Sequence, residues 1–255
     1  LASNYTFTGG SQTVDITSYV VDLSGTKVYD STTDISATDL NLSALPQSEQ
    51  LRLVGIGALA DKNAAIDKSI VDLGSLTLLD GNGGANDGLA SDYTLVGGTH
   101  MADVTRADLV VSNLVALDKV YDGTDTAQIN TSVASYNTLG GDVVQIASAS
   151  GVFVRTDTGT WDVQATDVTL DGVNQNYQLV PVAGLSATIT ARPVEFSAVG
   201  YDKTYDGTTA AIVDLTAQNL IVGDSVFASG YQADFSSPAV GPYRYISVSI
   251  NGLGG

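Results

Sequence analysis

Eight consecutive residues, Asp80-Gly81-Asn82-Gly83-Gly84-Ala85-Asn86-Asp87, hold the densest set of hard oxygen donors in the chain. Asp80, Asn82, Asn86 and Asp87 are the side chains that could wrap a calcium ion, with glycines letting the backbone bend around it. Their spacing departs from the EF-hand pattern, and a plain Asx/Gly loop between two strands accounts for every residue, so no metal ligand is assigned and calcium stays a minor reading. A second pattern sets Lys27, Lys119 and Lys203 early, and Asn4 and Asn176 late, in successive stretches, with Asp92 at the remaining late position. A lysine on an early strand and an asparagine on a late one is a layout for an intramolecular isopeptide bond. A solvated surface lysine is the stronger reading. Nucleophilic catalysis finds little material: there is no cysteine, and the single histidine is His100. The glycines at 81–84 lack the Lys-Ser/Thr that a phosphate loop requires. Neither an enzyme nor a cofactor is expected.

The frame that must position these residues is repetitive. Lys27-Val28-Tyr29-Asp30-Ser31 returns as Lys119-Val120-Tyr121-Asp122-Gly123 and as Lys203-Thr204-Tyr205-Asp206-Gly207. Between them recurs Asn4-Tyr5-Thr6-Phe7, Asp92-Tyr93-Thr94-Leu95 and Asn176-Tyr177-Gln178-Leu179. Modules of about 85 residues follow, a size that buries its own core. We place them at 18–106, 107–191 and 192–255, with 1–17 as the closing strands of a further, incomplete module. Tyr29, Asp30, Tyr121, Asp122, Gly123, Tyr205, Asp206 and Gly207 read as a structural turn motif. Aspartate bonds the backbone ahead of it, glycine accepts positive φ, and the tyrosine ring lies on the sheet. Ser31 in place of glycine leaves the turn of the first copy open.

The segments between turns are short, alternate with period two and favour Val, Ile, Thr and Tyr, as in Trp161-Asp162-Val163-Gln164-Ala165-Thr166-Asp167-Val168 and Tyr243-Arg244-Tyr245-Ile246-Ser247-Val248. An all-β fold is expected: tandem Ig-like β-sandwiches of about seven strands each, forming an elongated rod. Residues 43–51 and 63–69 are the two places where a helical turn could form. Trp161, aligned with Tyr243, is expected in a core. The joints Thr105-Arg106-Ala107-Asp108 and Thr190-Ala191-Arg192-Pro193 are short, and proline stiffens the second.

Charge narrows the partners. Against 10 lysines and arginines stand 28 acids, a net charge of −18, which repels nucleic acid and anionic lipid and keeps the surface soluble. At 44% hydrophobic and 15% charged residues, disorder is excluded. The longest apolar run, residues 51–60, contains Arg52 and falls short of the ~20 residues of a spanning helix. Without an initial methionine, the chain is expected to be a piece of a longer one. Residues 1–17 also match the strands that residues 201–255 would need. We expect head-to-tail association with other copies, by strand complementation, or continuity with neighbouring modules of a longer chain.

The Lys-x-Tyr-Asp-Gly turn, the Gly-Asp-x-Val segment (Gly141-Asp142-Val143-Val144, Gly223-Asp224-Ser225-Val226), the Asn-Tyr-x-Leu strand and the Ala-Thr-Ile-Thr-x-Arg-Pro joint resemble the YDG repeat, found with MBG-like modules in large secreted bacterial adhesins of the filamentous-haemagglutinin type. The resemblance covers nearly the whole chain. It implies an extracellular location at the bacterial cell surface or in a biofilm matrix, and a stalk or adhesive role without catalytic residues. The alternative is a module that binds a glycan, other polysaccharide or host protein, with or without calcium; exposed aromatics such as Trp161 or Tyr231 would favour it.

Overall fold

A computed structural model describes residues 2–172 and 174–255. The fold is all-β: strands alternate with loops, and the helical pieces among the described residues are 3-10 turns of three residues. Two compact units partition the chain. One holds Leu1–Asn113, Val133–Ser148 and Thr169–Val182; the other holds Leu114–Ser132, Ala149–Val168 and Ala183–Gly255.

The first unit is built on a six-stranded mixed sheet in the order Asp34–Ser36, Ile56–Leu59, Ala65–Asp72, Met101–Thr105, Leu23–Val28, Leu40–Leu42. Met101–Thr105 is its keystone. It runs parallel to Leu23–Val28, with Val104 opposite Lys27, and antiparallel to Ala65–Asp72. Its alternation places Ala102 and Val104 inward, where they join Val21, Leu23, Tyr29, Ile35, Leu59, Leu109 and Tyr177 in one core. The expected helical turn at 63–69 is a strand instead, Ala65–Asp72, because Lys68 and Ile70 point inward with period two. The stretch 43–51 does hold a turn, the 3-10 segment Pro46–Ser48, opened by a proline at its first position.

A second six-stranded sheet has the order Val115–Ala116, Thr126–Asn130, Val144–Phe153, Gly159–Gly172, Leu185–Thr190, Lys119–Val120, and the second unit holds all of it except residues 144–148 and 169–172. Leu185–Thr190 plays the keystone. It lies parallel to Lys119–Val120, with Ile189 opposite Lys119, and antiparallel to Gly159–Val163. Leu185, Ala187 and Ile189 alternate into the core beside Phe153 and Val163. Two hairpins complete the unit, Glu195–Gly200 with Val213–Gln218 and Phe227–Phe235 with Ile246–Gly254. Trp161, expected in a core, is only half-buried. Its ring lies 4.6 Å beneath the Arg155 guanidinium and its Nε1–H donates to the Asp157 carbonyl at 2.8 Å.

The keystone position makes a quantitative expectation. Ile189 is buried and Ile212 is exposed. Ile189→Ala should lower unfolding free energy by about 3 kcal/mol, and Ile212→Ala by no more than about 0.5 kcal/mol, in urea titrations. Equal losses would place Leu185–Thr190 outside the core.

Candidate functional site

The recurring turn is a lysine-centred knot. Lys27 Nζ donates to Asp30 Oδ1 at 2.8 Å and to the Asp34 carbonyl at 2.5 Å, while Asp30 Oδ1 accepts the Thr32 amide at 2.9 Å. Lys119 repeats this with Asp122 Oδ1 at 2.8 Å and the Thr124 carbonyl at 2.8 Å. Lys203 repeats it with Asp206 Oδ1 at 2.9 Å and the carbonyls of Thr208 and Ala210 at 2.9 and 2.8 Å. The turn needs a left-handed residue after the aspartate, and Gly123 and Gly207 supply it with φ of 77° and 80°. Ser31 adopts the same conformation at φ 70° despite its side chain. Its hydroxyl projects toward Gly140, where a Cβ would stand 2.3 Å from Ser31 Oγ.

The knot aims the tyrosine. Tyr29, from the first repeat, donates its hydroxyl to Asp142 Oδ2, in the second. The same oxygen accepts the Tyr177 hydroxyl at 3.0 Å, and Lys62 Nζ closes the cluster on Oδ1 at 3.0 Å. The Tyr29 and Tyr177 rings meet edge to face at 5.5 Å. Tyr177 Oη in turn accepts the Leu139 amide at 2.9 Å. Beside them Asn176, fully buried, accepts the Ala64 amide at 2.9 Å and donates to Asn63 Oδ1 at 3.1 Å. The Asp142 side chain is 7% exposed. Burial alone would raise its pKa, but the two hydroxyls and the ammonium outweigh that and hold it below the usual value. Burial, then the Asp142 carboxylate, pushes the Tyr29 phenol up.

A second joint repeats the rule. Tyr121 donates to Asp224 Oδ1 at 3.3 Å, which raises its own pKa. In the first repeat Glu49 takes the aspartate's place, accepting the Tyr93 hydroxyl at 2.6 Å and pushing that phenol up to about 12. Lys62 and Glu49 were not singled out from the sequence, and Asp142 and Asp224 were named there only within the Gly-Asp-x-Val segment, with no role assigned. The visible signal was the Gly-Asp pair at 141–142 and 223–224, each following a Tyr-Asp turn of the preceding repeat.

The other candidates are drawn into local structure. Asp80 Oδ1 accepts the Ala90 amide at 2.7 Å, Asp87 accepts the Gly83 amide, and the Asn86 carbonyl accepts the Gln50 amide at 2.8 Å. Two of the four calcium-type side chains thus cap backbone donors, and no group of three or more acidic or histidine side chains is gathered for a metal among the described residues. His100 accepts the Leu23 amide at Nδ1, 3.2 Å away, and its Nε2 lies 2.7 Å from the Leu95 carbonyl, which fixes the Nε2–H tautomer. Each lysine of the isopeptide pattern is engaged by its own turn, and the Asn176 amide faces Asn63. The cluster's chemistry is therefore cohesive: three polar groups converge on one buried carboxylate and bind one repeat to the next.

A family model described as the YDG domain matches residues 105–184 and 190–255, more than half of the chain. No curated protein and no solved structure matches it.

Two expectations follow from the joint and the knot. Asp142→Ala orphans two hydroxyls and an ammonium and should cost about 3 kcal/mol, against about 1 kcal/mol for Tyr29→Phe. The double variant should fall short of the sum in urea titrations, and simple additivity would mean the two do not interact. The knot also sets a pH dependence. The Lys119 ammonium and Thr124 amide hold Asp122 at about 2; the Thr208 amide and Lys203 hold Asp206 at about 2, both from 3.8. A depressed carboxylate contributes stability that is complete above its unfolded pKa and lost as pH falls through the folded one. Melting temperature should therefore drop between about pH 4 and pH 2, and D122N/D206N should flatten that drop.

Proposed function

The chain belongs to the YDG domain family, and from that premise we propose that it is a structural and adhesive repeat segment of a bacterial extracellular fibre or surface adhesin. Its work is mechanical: spanning from the cell surface into a matrix, or holding cells together, without catalysis. The observation that carries this reading is the repetition of one joint. Tyr29 on Asp142 and Tyr121 on Asp224 connect each repeat to the following one by the same chemistry. A contact that recurs at every junction serves assembly in series, as in other repeat architectures. The Ig-like sandwich is the proposed form of each repeat and an elongated rod the proposed form of the array.

Composition supports the same reading. A surface with 28 acids against 10 bases discourages lateral association of long fibres, and the absence of cysteine suits a chain that does not depend on oxidative folding. No helix among the described residues is long and apolar enough to cross a membrane. The proposed extracellular, cell-surface location rests on what the resemblance to the YDG repeat implies, and the family match itself is to the YDG domain. A glycan- or host-protein-binding module is the second reading. Of the two rings named for it, Trp161 is half-buried with Arg155 over one face, and Tyr231 is exposed.

Small-angle scattering checks the rod. A compact globule of this length has a radius of gyration of ~18 Å. The expected value lies well above that, and one at the compact limit would reject serial stacking.

A further inference from the structure

Asparagine is followed by glycine at two places, Asn82-Gly83 and Asn251-Gly252. The side-chain amide of an asparagine is open to attack by the backbone nitrogen of the next residue, and glycine hinders that attack least because it has no Cβ. The attack needs an exposed, turning backbone that brings the nitrogen to the asparagine Cγ. A strand held in a ladder keeps the two apart. Asn251-Gly252 lies within the strand Ile246–Gly254, with Gly252 opposite Gly230 in an antiparallel pair. Asn82-Gly83 lies in the loop between the strand Thr77–Leu79 and the 3-10 turn Ala90–Asp92. Gly83 has φ 88°, and a Cβ there would meet no atom within 4 Å. The Asn82 side chain is exposed and makes no hydrogen bond among the described residues.

One side chain touches the attacking nitrogen. The Gly83 amide donates to Asp87 Oδ2. The other oxygen, Oδ1, lies against Gly81, where a Cβ would collide with it, so glycine at 81 gives the carboxylate its room. The backbone fixes Asp87 from behind. It bridges to Gln50, whose amide donates to the Asn86 carbonyl at 2.8 Å and whose carbonyl accepts the Gly88 amide at 3.0 Å. A carboxylate held in place thus faces the one backbone proton that the attack must remove. A neutral amide nitrogen is a poor nucleophile, and a group that takes its proton as the new bond forms is a general base.

We propose that Asn82-Gly83 is a self-modifying site and that Asp87 is its general base. The Gly83 nitrogen bonds to Asn82 Cγ and closes a cyclic imide. Its proton passes to Asp87 and from there to Asn82 Nδ2, which leaves as ammonia when the Cγ–Nδ2 bond breaks. Water then opens the imide at either carbonyl and leaves aspartate or isoaspartate at position 82. Nothing is oxidised or reduced, and water is the only co-reactant. The product carries one more negative charge, between Asp80 and Asp87. Its isoaspartyl form runs the backbone through the former side chain and lengthens the loop. The lost ammonia does not return, so the converted fraction records the age of the chain.

The test incubates the 255-residue chain in neutral buffer and follows the peptides holding residues 82 and 251. Mass reports the exchange of amide for acid, and chromatography separates the aspartyl and isoaspartyl forms. Conversion should be first order, equal at every chain concentration, and about tenfold or more faster at Asn82 than at Asn251. Asn82→Gln, whose imide ring would need one more carbon, should keep its amide over the same period. Asp87→Asn should slow conversion at Asn82 by about tenfold or more, and the remaining rate should rise in proportion to hydroxide. Asp87→Glu retains a carboxylate and should retain part of the rate. Melting curves of the variants check that each keeps the fold. An Asn82 that stays intact while Asn251 reacts overturns the proposal. Asp87→Asn that reacts at the parent's rate and with its pH profile, or faster, overturns the role of Asp87 as base.

Discussion

One ammonium organises each repeat. Lys27, Lys119 and Lys203 each tie an aspartate three residues ahead to the carbonyls beyond it, and so draw the chain into a turn whose tyrosine can face only one way. Desolvating an ammonium costs several kcal/mol unless carboxylate and carbonyl oxygens surround it. Lys27, with 5% of its side chain exposed, is the most buried of the three and collects oxygens from Asp30, Thr32 and Asp34. The aromatic floors beneath Lys119 and Lys203 add cation–π attraction on the remaining side.

The turn acts in two directions. Its backbone takes the end of the keystone strand, through the Tyr29 and Tyr121 amides, and that strand joins residues far apart in sequence. Its side chain reaches forward to the next repeat's aspartate. Sheet closure and repeat-to-repeat cohesion thus depend on the same few residues. Asp142 shows why a carboxylate suits the second task. Two oxygens accept two hydroxyls and an ammonium at once, and a buried acid with that many donors stays charged. Tyr121 and Asp224, with one hydroxyl on the acid and a longer bond, form a looser version of the joint.

Parallel pairing has a further consequence. Lys119–Val120 and Leu185–Thr190 are neighbours in the sheet but distant in the chain, and parallel strands always require such a crossover. In the first two repeats the closing strand, Met101–Thr105 or Leu185–Thr190, thus pairs with a turn segment far behind it in the chain.

Much of this was written locally. Val/Ile/Thr alternation determined the strands, because one buried face with period two admits few other structures. The left-handed turn was legible at Gly123 and Gly207, since aspartate followed by glycine has a narrow conformational meaning. The Asx/Gly character of residues 80–87 was legible for the same reason. Residues 63–69 misled because a short polar-apolar mix carries no clear period, and pairing with Met101–Thr105 decided it as strand. Trp161 misled because alternation names a face without saying how deeply it is covered. Only tertiary structure could bring Tyr29 to Asp142, 113 residues away, or give Ser31 room opposite Gly140. Sequence records which groups each residue carries and how its nearest neighbours bend. Which buried donor meets which acceptor is decided by the packing of distant strands, where leaving either group unpaired costs more than any local preference supplies.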